Sequence, residues 1–251
     1  LARFPGDGRS DLLVGRMADA IYRRGETVSA MVQQYQYQWQ RLDSLSNQWQ
    51  ARYQFGFWIL PLDIPLIADR DLDGFDEQML YRPKTGQWFL FPNQLIDGPS
   101  LPVATSPLPV VGRFLPGSSG DLAVWSPING QFVTKSLSGN DTATMEWGGL
   151  EGDILLPGDY DGDGYDEVGI WQPHSNTWWV RNMPSGPNLQ SHFGTASGIP
   201  LPADYDGDGR LDLAYWEPKQ HKILVSFDFG QTVGRTIPVP PDSIPAFVHM
   251  Y

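Results

Sequence analysis

The chain has 251 residues, a formal charge of −12 and a sequence pI near 4.6. This acidic balance argues against nucleic acid as a partner, because the phosphate backbone attracts basic surfaces. The absence of cysteine excludes disulfides and thiolate metal sites, and no run of apolar residues is long enough to predict a transmembrane segment. The chain starts at Leu1 without a basic and apolar leader, which we interpret as the mark of a processed or trimmed product.

The first predicted elements are a degenerate acidic turn and the strand that follows it. The turn begins at Arg3 in the segment RFPGDGRSDLLVGRM and keeps only Asp7 and Asp11 as acidic residues. Later turns of the same kind carry an aspartate where this one carries Arg3. We therefore expect no cation at this turn.

Residues 28–58 contain two runs in which aromatic residues alternate with polar ones, AMVQQYQYQWQ and NQWQARYQFGFW. Alternation with a period of two predicts two strands, and the polar turn between them predicts a β-hairpin. We predict that this hairpin is an insertion that protrudes from the first repeat and binds a protein partner; the alternative is that it folds over its own domain. The predicted contact residues are Tyr35, Tyr37, Trp39, Trp49 and Tyr53.

Three complete acidic loops follow, each between two apolar segments. They occur in ADRDLDGFDEQMLYRP from Ala68, GDYDGDGYDEVGIWQP from Gly158 and ADYDGDGRLDLAYWEP from Ala203. Each loop has carboxylates at its first, third, fifth and ninth positions and a glycine at its sixth. The carboxylates are Asp69, Asp71, Asp73 and Glu77; Asp159, Asp161, Asp163 and Glu167; and Asp204, Asp206, Asp208 and Asp212.

Calcium is the cation that this pattern favours. Alternate residues of a tight loop point the same way, so several oxygens converge, and the backbone carbonyl of Phe75, Tyr165 or Arg210 can add a ligand. Hard oxygen ligands in a flexible loop suit calcium better than magnesium, and one ion per loop gives about three ions. An EF-hand shares the opening of the loop but needs a later glutamate and flanking helices, so it is rejected. A solvated acidic turn is the remaining alternative.

The loops belong to a repeat that covers most of the chain. Including a second degenerate copy, in which Arg113 could pair with the surviving Asp121, the last acidic residues of successive copies are 66, 44, 46 and 45 residues apart. This period is typical of four-stranded propeller blades. The segment TIPVPPD from Thr236 matches the first strands of later copies. We therefore predict an all-β fold, a single domain over residues 1–251 with five blades closed by the C-terminal strand; a piece of a longer propeller is the alternative.

A tryptophan recurs at one position of the repeat, as Trp125, Trp171 and Trp216. An exposed ring at a repeated position could stack on a sugar, whereas a buried ring would pack between blades. The exposure of these rings therefore distinguishes a carbohydrate site from core packing.

The sequence Asp-Tyr-Asp-Gly-Asp-Gly, preceded by a proline-containing strand and followed by an apolar one, resembles the FG-GAP and VCBS repeats. The resemblance covers nearly the whole chain outside residues 18–58. It implies an integrin α-like β-propeller with calcium loops between the first and second strands of its blades. Such propellers are typically extracytoplasmic and serve in adhesion, carbohydrate binding or complex assembly.

No pattern of catalytic residues accompanies this repeat. The four histidines lie in unrelated contexts, and the carboxylates that a glycosidase would need belong largely to the acidic loops. We expect no enzyme but a calcium-binding interaction or scaffolding subunit of an extracytoplasmic assembly, secreted, periplasmic or at the cell surface. The alternative function is a calcium-dependent, lectin-like module that binds a glycan.

Overall fold

The computed structural model shows an all-β chain, as the sequence predicts. The described residues are 2–3, 10–18, 36–43, 48–54, 63–71, 73, 77–90, 94–182, 187–230 and 232–241. The chain divides into two compact units, Leu1–Val103 and Ala104–Tyr251. Besides strands, the described ranges contain the short 3-10 helices Val103–Thr105, Pro218–Gln220 and Asp228–Gly230. No helix in these ranges has the length and apolar character that a bilayer crossing requires.

The first unit contains two four-stranded antiparallel sheets, each with its strands in chain order. The strands are β1 (Ala2–Arg3), β2 (Ser10–Ala18), β3 (Gln36–Asp43) and β4 (Gln48–Gln54), then β5 (Ile64–Ala68), β6 (Glu77–Arg82), β7 (Gln87–Leu90) and β8 (Gln94–Asp97).

The region predicted as a hairpin supplies the two outer strands of the first sheet. Strand β3 pairs with β2 from Leu12 with Leu42 to Ala18 with Gln36, and it also pairs with β4. The turn between β3 and β4 lies at residues 44–47, outside the described residues. Protrusion of the hairpin beyond the sheet stays a prediction.

The second sheet of this unit is built around a buried second strand. Met79, Leu80 and Tyr81 of β6 are buried together with Trp88 of β7. The rings of Tyr81 and Trp88 lie 4.9 Å apart. This sheet positions the first complete acidic loop, because β5 ends at Ala68 and β6 begins at Glu77.

The second unit contains three four-stranded antiparallel sheets, again in chain order. The strands are β9 (Leu108–Gly112), β10 (Asp121–Trp125), β11 (Gln131–Ser136) and β12 (Thr142–Glu146), then β13 (Ile154–Leu155), β14 (Val168–Gln172), β15 (Thr177–Arg181) and β16 (Leu189–His192), then β17 (Ile199–Pro200), β18 (Leu213–Glu217), β19 (Lys222–Phe227) and β20 (Thr232–Pro238).

In this unit the second strand of a sheet is more buried than the outer strand. Every residue of the second strands β10 and β18 is buried, whereas the outer strand β12 alternates between exposed and half-buried residues. A short continuous apolar run such as LAVW is typical of a strand covered on both faces. Alternation is typical of a strand with one face in water.

Apolar clusters join neighbouring sheets of the second unit. One contains Phe114, Trp125 and Phe132 from the first of these sheets and Leu155, Val168 and Ile170 from the next. Another joins Trp171 and Trp178 to Leu213 of the last sheet. Sheets that pack face to face through buried aromatic rings are the arrangement expected of propeller blades.

The C-terminal strand differs from the prediction. Thr236, expected to begin the first strand of the first blade, lies in β20 and pairs with Leu224 of β19. The 3-10 helix Asp228–Gly230, with Phe229 in the left-handed region, reverses the chain directly after β19. A local hairpin closes a much shorter loop than a strand that returns to the start of the chain, and its entropic cost is smaller.

The first sheet has its own inner strand instead. Ala2 pairs with Asp11 and Arg3 pairs with Ser10, so the two residues that precede the degenerate turn already form β1. Each of the five described sheets is open, with two edge strands. Closure of the first blade by the segment that starts at Thr236 was therefore a wrong prediction.

Candidate metal centres

Each complete acidic loop connects the first and second strands of a sheet. We name residues 69–77 the first loop, 159–167 the middle loop and 204–212 the last loop. The residue before each loop pairs with the ninth residue of the loop: Ala68 with Glu77, Gly158 with Glu167, and Ala203 with Asp212. This pairing closes the loop at its base and places the ninth carboxylate beside the first.

Three carboxylates converge in every loop, from the first, third and ninth positions. One oxygen from each lies within 4.8 Å of the others in the groups Asp69, Asp71 and Glu77; Asp159, Asp161 and Glu167; and Asp204, Asp206 and Asp212. Two oxygens that each lie about 2.4 Å from one calcium ion are at most about 4.8 Å apart. The groups therefore have the spacing that a shared cation requires.

Backbone N–H groups hold the first carboxylate of the middle and last loops in the same way. Asp159 accepts hydrogen bonds from Gly162 at 2.6 Å and Gly164 at 2.9 Å. Asp204 accepts the equivalent bonds from Gly207 and Gly209, and they lower the pKa of its carboxyl group. All four glycines have left-handed φ angles, which glycine adopts without strain.

The fifth carboxylate has a different environment from the other three. Asp163 accepts a hydrogen bond from the N–H of Tyr165, and Asp208 accepts one from Arg210. These two residues and Asp73 lie outside the groups of converging carboxylates. Their ligand role, and that of the carbonyls of Tyr165 and Arg210, stays a prediction. Phe75, the third predicted carbonyl ligand, lies outside the described residues.

Within the three groups of converging carboxylates, Glu167 carries the strongest sign of a missing partner. Its side chain is fully buried, its Oε2 atom accepts a hydrogen bond from the N–H of Tyr160 at 2.8 Å, and its Oε1 atom has no hydrogen-bond partner among the described residues. Burial raises the pKa of Glu167 to about 8, and Asp161 and Asp159 act in the same direction. A buried carboxylate oxygen without a partner is costly, so the site is suited to a cation.

The first loop contains a cation of its own that sequence reasoning missed. Arg70 lies 3.7 Å from Asp71 and 3.8 Å from Glu77, at the position where the other two loops have tyrosine. Burial raises the pKa of Glu77 to about 7, against the hydrogen bond that the Arg70 N–H donates. The guanidinium partly neutralises this group, so a metal ion gains less there than in the middle loop.

Asn182 is a second residue that the repeat pattern did not indicate. Its Nδ2 atom donates a hydrogen bond of 2.6 Å to Oδ2 of Asp161. Asn182 directly follows strand β15, far from the middle loop in sequence. No spacing rule connects the two residues, so the signal exists only in the folded chain.

The degenerate loop at residues 113–121, which we name the arginine loop, does not have the predicted ion pair. Asp121 is fully buried, and its Oδ2 atom accepts hydrogen bonds from the N–H groups of Phe114 and Leu115. Arg113 instead donates to the carbonyl groups of Ser118 and Gly164. Backbone donors therefore satisfy one oxygen of this carboxylate, whereas its buried Oδ1 atom has no hydrogen-bond partner among the described residues. The guanidinium contacts the middle loop.

A family model for the FG-GAP-like repeat matches residues 159–215, which begin with the middle loop and include the last. Residues 159–215 form an FG-GAP-like repeat. The resemblance inferred from the acidic loops is thus confirmed. A search of curated proteins finds no sequence that matches the chain.

A solved structure also resembles the chain outside the FG-GAP-like repeat. It is a lectin of Agrocybe aegerita, described as recognising non-reducing terminal N-acetylglucosamine. The two chains share 12% identity with a TM-score of 0.54, over 93% of this chain and 67% of the lectin chain. This likeness supports a propeller-like fold.

The recurring tryptophans, one of them inside the FG-GAP-like repeat, belong to the core. Trp125 and Trp171 have no exposed surface and Trp216 is 8% exposed. The indole N–H of Trp125 donates to the carbonyl of Trp147. Sugar stacking at this repeated position is therefore excluded in favour of packing between sheets.

Four of the five predicted partner-binding residues lie on β3 and β4. Trp39 and Tyr53 are direct partners across the two strands, as are Leu42 and Trp49. Directly opposed residues share one face of a sheet, so Trp39 and Tyr53 lie on the same face. Tyr37 of β3 pairs with Met17 of β2. Tyr35 is outside the described residues. A partner at this face stays a prediction.

Proposed function

We propose that this chain is a non-catalytic, calcium-binding β-propeller that acts as an interaction or scaffolding subunit of an extracytoplasmic assembly. The observation that carries the proposal is the convergence of three carboxylates to within 4.8 Å in each of three equivalent loops. In the middle loop the fully buried Glu167 adds an oxygen atom without a hydrogen-bond partner.

Calcium fits these groups for a chemical reason. The donors are carboxylates on short loops, and hard oxygen donors in a flexible cage favour calcium over a smaller ion with strict octahedral geometry. Three divalent ions would change the formal charge of the chain from −12 to −6. They would also relieve the repulsion between the grouped carboxylates.

The five sheets are proposed to be the blades of one propeller domain. The support comes from their shared four-stranded plan and from the structural likeness, which extends over 93% of the chain. Propellers of this kind are scaffolds for binding, and both the FG-GAP-like repeat and the lectin likeness favour a binding role over an enzymatic one.

The aromatic face of β3 and β4 is the proposed contact with a protein partner. Aromatic side chains are enriched at protein interfaces. The Trp39 and Tyr53 pair lies on one face, and the neighbouring Gln38 and Gln54 pair lies on the other. The family resemblance supports placement of the assembly outside the cytoplasm.

Calcium-dependent glycan binding is the second candidate, supported by the likeness to a lectin. The buried repeat tryptophans do not serve it, so a glycan would need another surface. An array of glycans probed with calcium and with a chelator separates the two candidates. Calcium-dependent binding to a defined sugar would favour the lectin, and no binding would favour the protein interface.

The first test is thermal unfolding with calcium and with a chelator, combined with metal analysis of the purified protein. We expect close to three calcium ions per chain and a melting temperature that rises with calcium, because a ligand that binds only the folded state stabilises it. An unchanged melting temperature and no bound metal would contradict the calcium sites.

The protein interface is tested by matched double variants. We expect Trp39→Ser with Tyr53→Ser to abolish co-purification of a partner, because the aromatic face provides the contact. Gln38→Ser with Gln54→Ser changes the opposite face of the same strands and should keep the partner. Loss of the partner in neither variant would exclude this hairpin as the contact.

A further inference from the structure

The arginine loop contacts the middle loop through three hydrogen bonds, each donated by a backbone N–H group. The N–H of Asp166 donates to the carbonyl of Arg113 at 2.7 Å, and the N–H of Arg113 donates to Oδ2 of Asp166 at 2.7 Å. On the far side, the N–H of Gly117 donates to the hydroxyl of Tyr165 at 3.0 Å. These contacts attach a loop without converging carboxylates to one that has them.

The side chain of Arg113 completes this contact. Its guanidinium lies 4.4 Å from the centre of the Tyr165 ring and donates to the carbonyl of Gly164 at 3.2 Å. Its Nε atom donates to Ser118 of its own loop. One planar group therefore connects both loops, which is a role that lysine cannot copy.

The last loop contacts the middle loop by only part of this arrangement. Its Leu211 N–H donates to the carbonyl of Asp159 at 2.7 Å, which corresponds to the bond between Asp166 and Arg113. Its seventh position holds Arg210 instead of a tyrosine. No arginine clamp equivalent to Arg113 holds the last loop among the described contacts.

We propose that Arg113 is a positioning residue that holds the middle loop in the conformation that binds a cation. This inference rests on the proposed calcium sites. The clamp holds Gly164 and Tyr165, which lie between the first and the ninth carboxylates of the loop. It thus acts on the same loop in which the buried Glu167 has an oxygen atom without a partner.

Preorganisation and charge predict opposite results for removal of Arg113. A guanidinium close to a cation site repels the cation, so its removal should tighten binding if charge dominates. If Arg113 orders the loop in advance, its removal leaves that ordering to the binding step and weakens affinity. The sign of the change therefore decides between the two.

The test uses the full chain with the other loops silenced. Asp69→Asn with Asp71→Asn removes two candidate ligands from the first loop, and Asp204→Asn with Asp206→Asn removes two from the last loop. Only the middle loop then keeps its candidate cation site. On this background we expect Arg113→Met to weaken calcium binding, measured by titration calorimetry, by about tenfold. Arg113→Lys keeps the charge but not the planar contact, and it should weaken binding nearly as much. Unchanged or tighter binding in Arg113→Met overturns the proposal.

Terbium luminescence provides a readout that loss of stability alone would not change. Terbium in the middle loop is excited through nearby tyrosine, so a displaced Tyr165 should lower the emission even when the site is saturated. Arg235→Met removes an exposed arginine of β20 and is the control for charge. It should leave both affinity and emission unchanged. Equal losses in Arg235→Met and Arg113→Met overturn the proposal.

A double-mutant cycle distinguishes loss of the contact between Arg113 and Tyr165 from a general loss of stability. Tyr165→Leu removes the other half of the stacked pair, so its effect and that of Arg113→Met should overlap rather than add. Additive losses of affinity overturn the proposal. Failure of the silenced background to bind calcium would instead reject the proposed metal site itself, whereas binding that ignores both variants rejects only the role of Arg113.

Discussion

At the scale of single residues, the candidate sites are defined by where each carboxylate is buried. Glu167 is fully buried, whereas its counterpart Glu77 in the first loop is half-buried beside Arg70. Burial favours the neutral form of an acid, and a proton, a cation or hydrogen-bond donors compensate for the lost water. The ninth carboxylate of the middle loop therefore gains more from a metal ion than the ninth carboxylate of the first loop.

Glu167→Gln should uncouple the middle loop from calcium. The amide keeps the shape of the side chain but not its charge, so the cation loses a buried ligand. At calcium concentrations about 100 times the dissociation constant, we expect the calcium-induced rise in melting temperature to shrink by about 5–10 °C. Scanning calorimetry with calcium and with chelator measures it. A full calcium response in Glu167→Gln would show that this residue is not a ligand.

At the scale of elements, the acidic loops depend on glycines as much as on carboxylates. Gly209 has a φ of +90°, and a Cβ atom placed there would meet no atom within 4 Å. A substitution at this position therefore tests backbone strain without a steric clash.

Gly209→Ala should weaken cation binding at the last loop by roughly tenfold, because a left-handed alanine costs about 1–2 kcal/mol. Gly139→Ala is the matched control, since Gly139 lies in an exposed turn outside the left-handed region and has room for a Cβ atom. Calcium titration of both variants provides the comparison. Equal affinities would mean that the loop binds in another conformation.

Strand β20 is the element whose position the repeat pattern did not predict. Ile237 pairs with Ile223 of β19, whereas closure of the first blade would place it opposite Gly15. The chain has no cysteine of its own, so an introduced pair of cysteines can form a disulfide only with each other within one chain.

Ile223→Cys with Ile237→Cys should form a disulfide under mild oxidation, because direct cross-strand partners lie close enough to be bridged. Gly15→Cys with Ile237→Cys should remain reduced. Non-reducing electrophoresis after proteolysis distinguishes the two. The reverse result would restore closure by the C-terminal strand.

At the scale of the whole molecule, the acidic loops predict how stability depends on pH. The carboxyl pKa values of about 8 for Glu167 and about 7 for Glu77 lie above the ordinary value of 4.5. As pH rises, these carboxyl groups lose their protons at a lower pH in the unfolded chain than in the folded chain. Their contribution to the free energy of unfolding is therefore largest below pH 4.5 and is lost by about pH 8.

Without metal, the melting temperature should therefore fall by several degrees between about pH 5 and pH 8. With saturating calcium the fall should be much smaller, because the cation replaces the proton. Thermal unfolding across this range, with chelator and with calcium, measures both curves. A chelated protein that becomes more stable with rising pH would contradict the burial of these carboxylates.

Much of the fold could be predicted from local patterns. The apolar runs LAVW, VGIW and LAYW form the buried second strands β10, β14 and β18, because a short apolar run between turn residues is typical of a strand covered on both faces. The loop spacing indicated the first, third and ninth carboxylates, which converge once the base of the loop pairs, but it also included the fifth, which lies outside these groups.

The remaining features depend on contacts between distant residues. Sequence spacing could not place Asn182 against Asp161 or Arg113 against Tyr165, because each pair comes from different sheets or strands. It also could not decide that Thr236 pairs with β19, since its apolar and proline-rich segment fits either an inner or an outer strand.

By itself, the sequence determined the repeat, the positions of the acidic loops and the all-β class, because these follow from periodicity and from the residues that each turn requires. Only the tertiary structure decided which tryptophans are buried, which carboxylate oxygens lack a partner, and where Arg113 and the C-terminal strand lie. The burial of a side chain and the identity of its hydrogen-bond partner depend on packing between elements, and the order of residues along the chain does not specify which faces of these elements pack together.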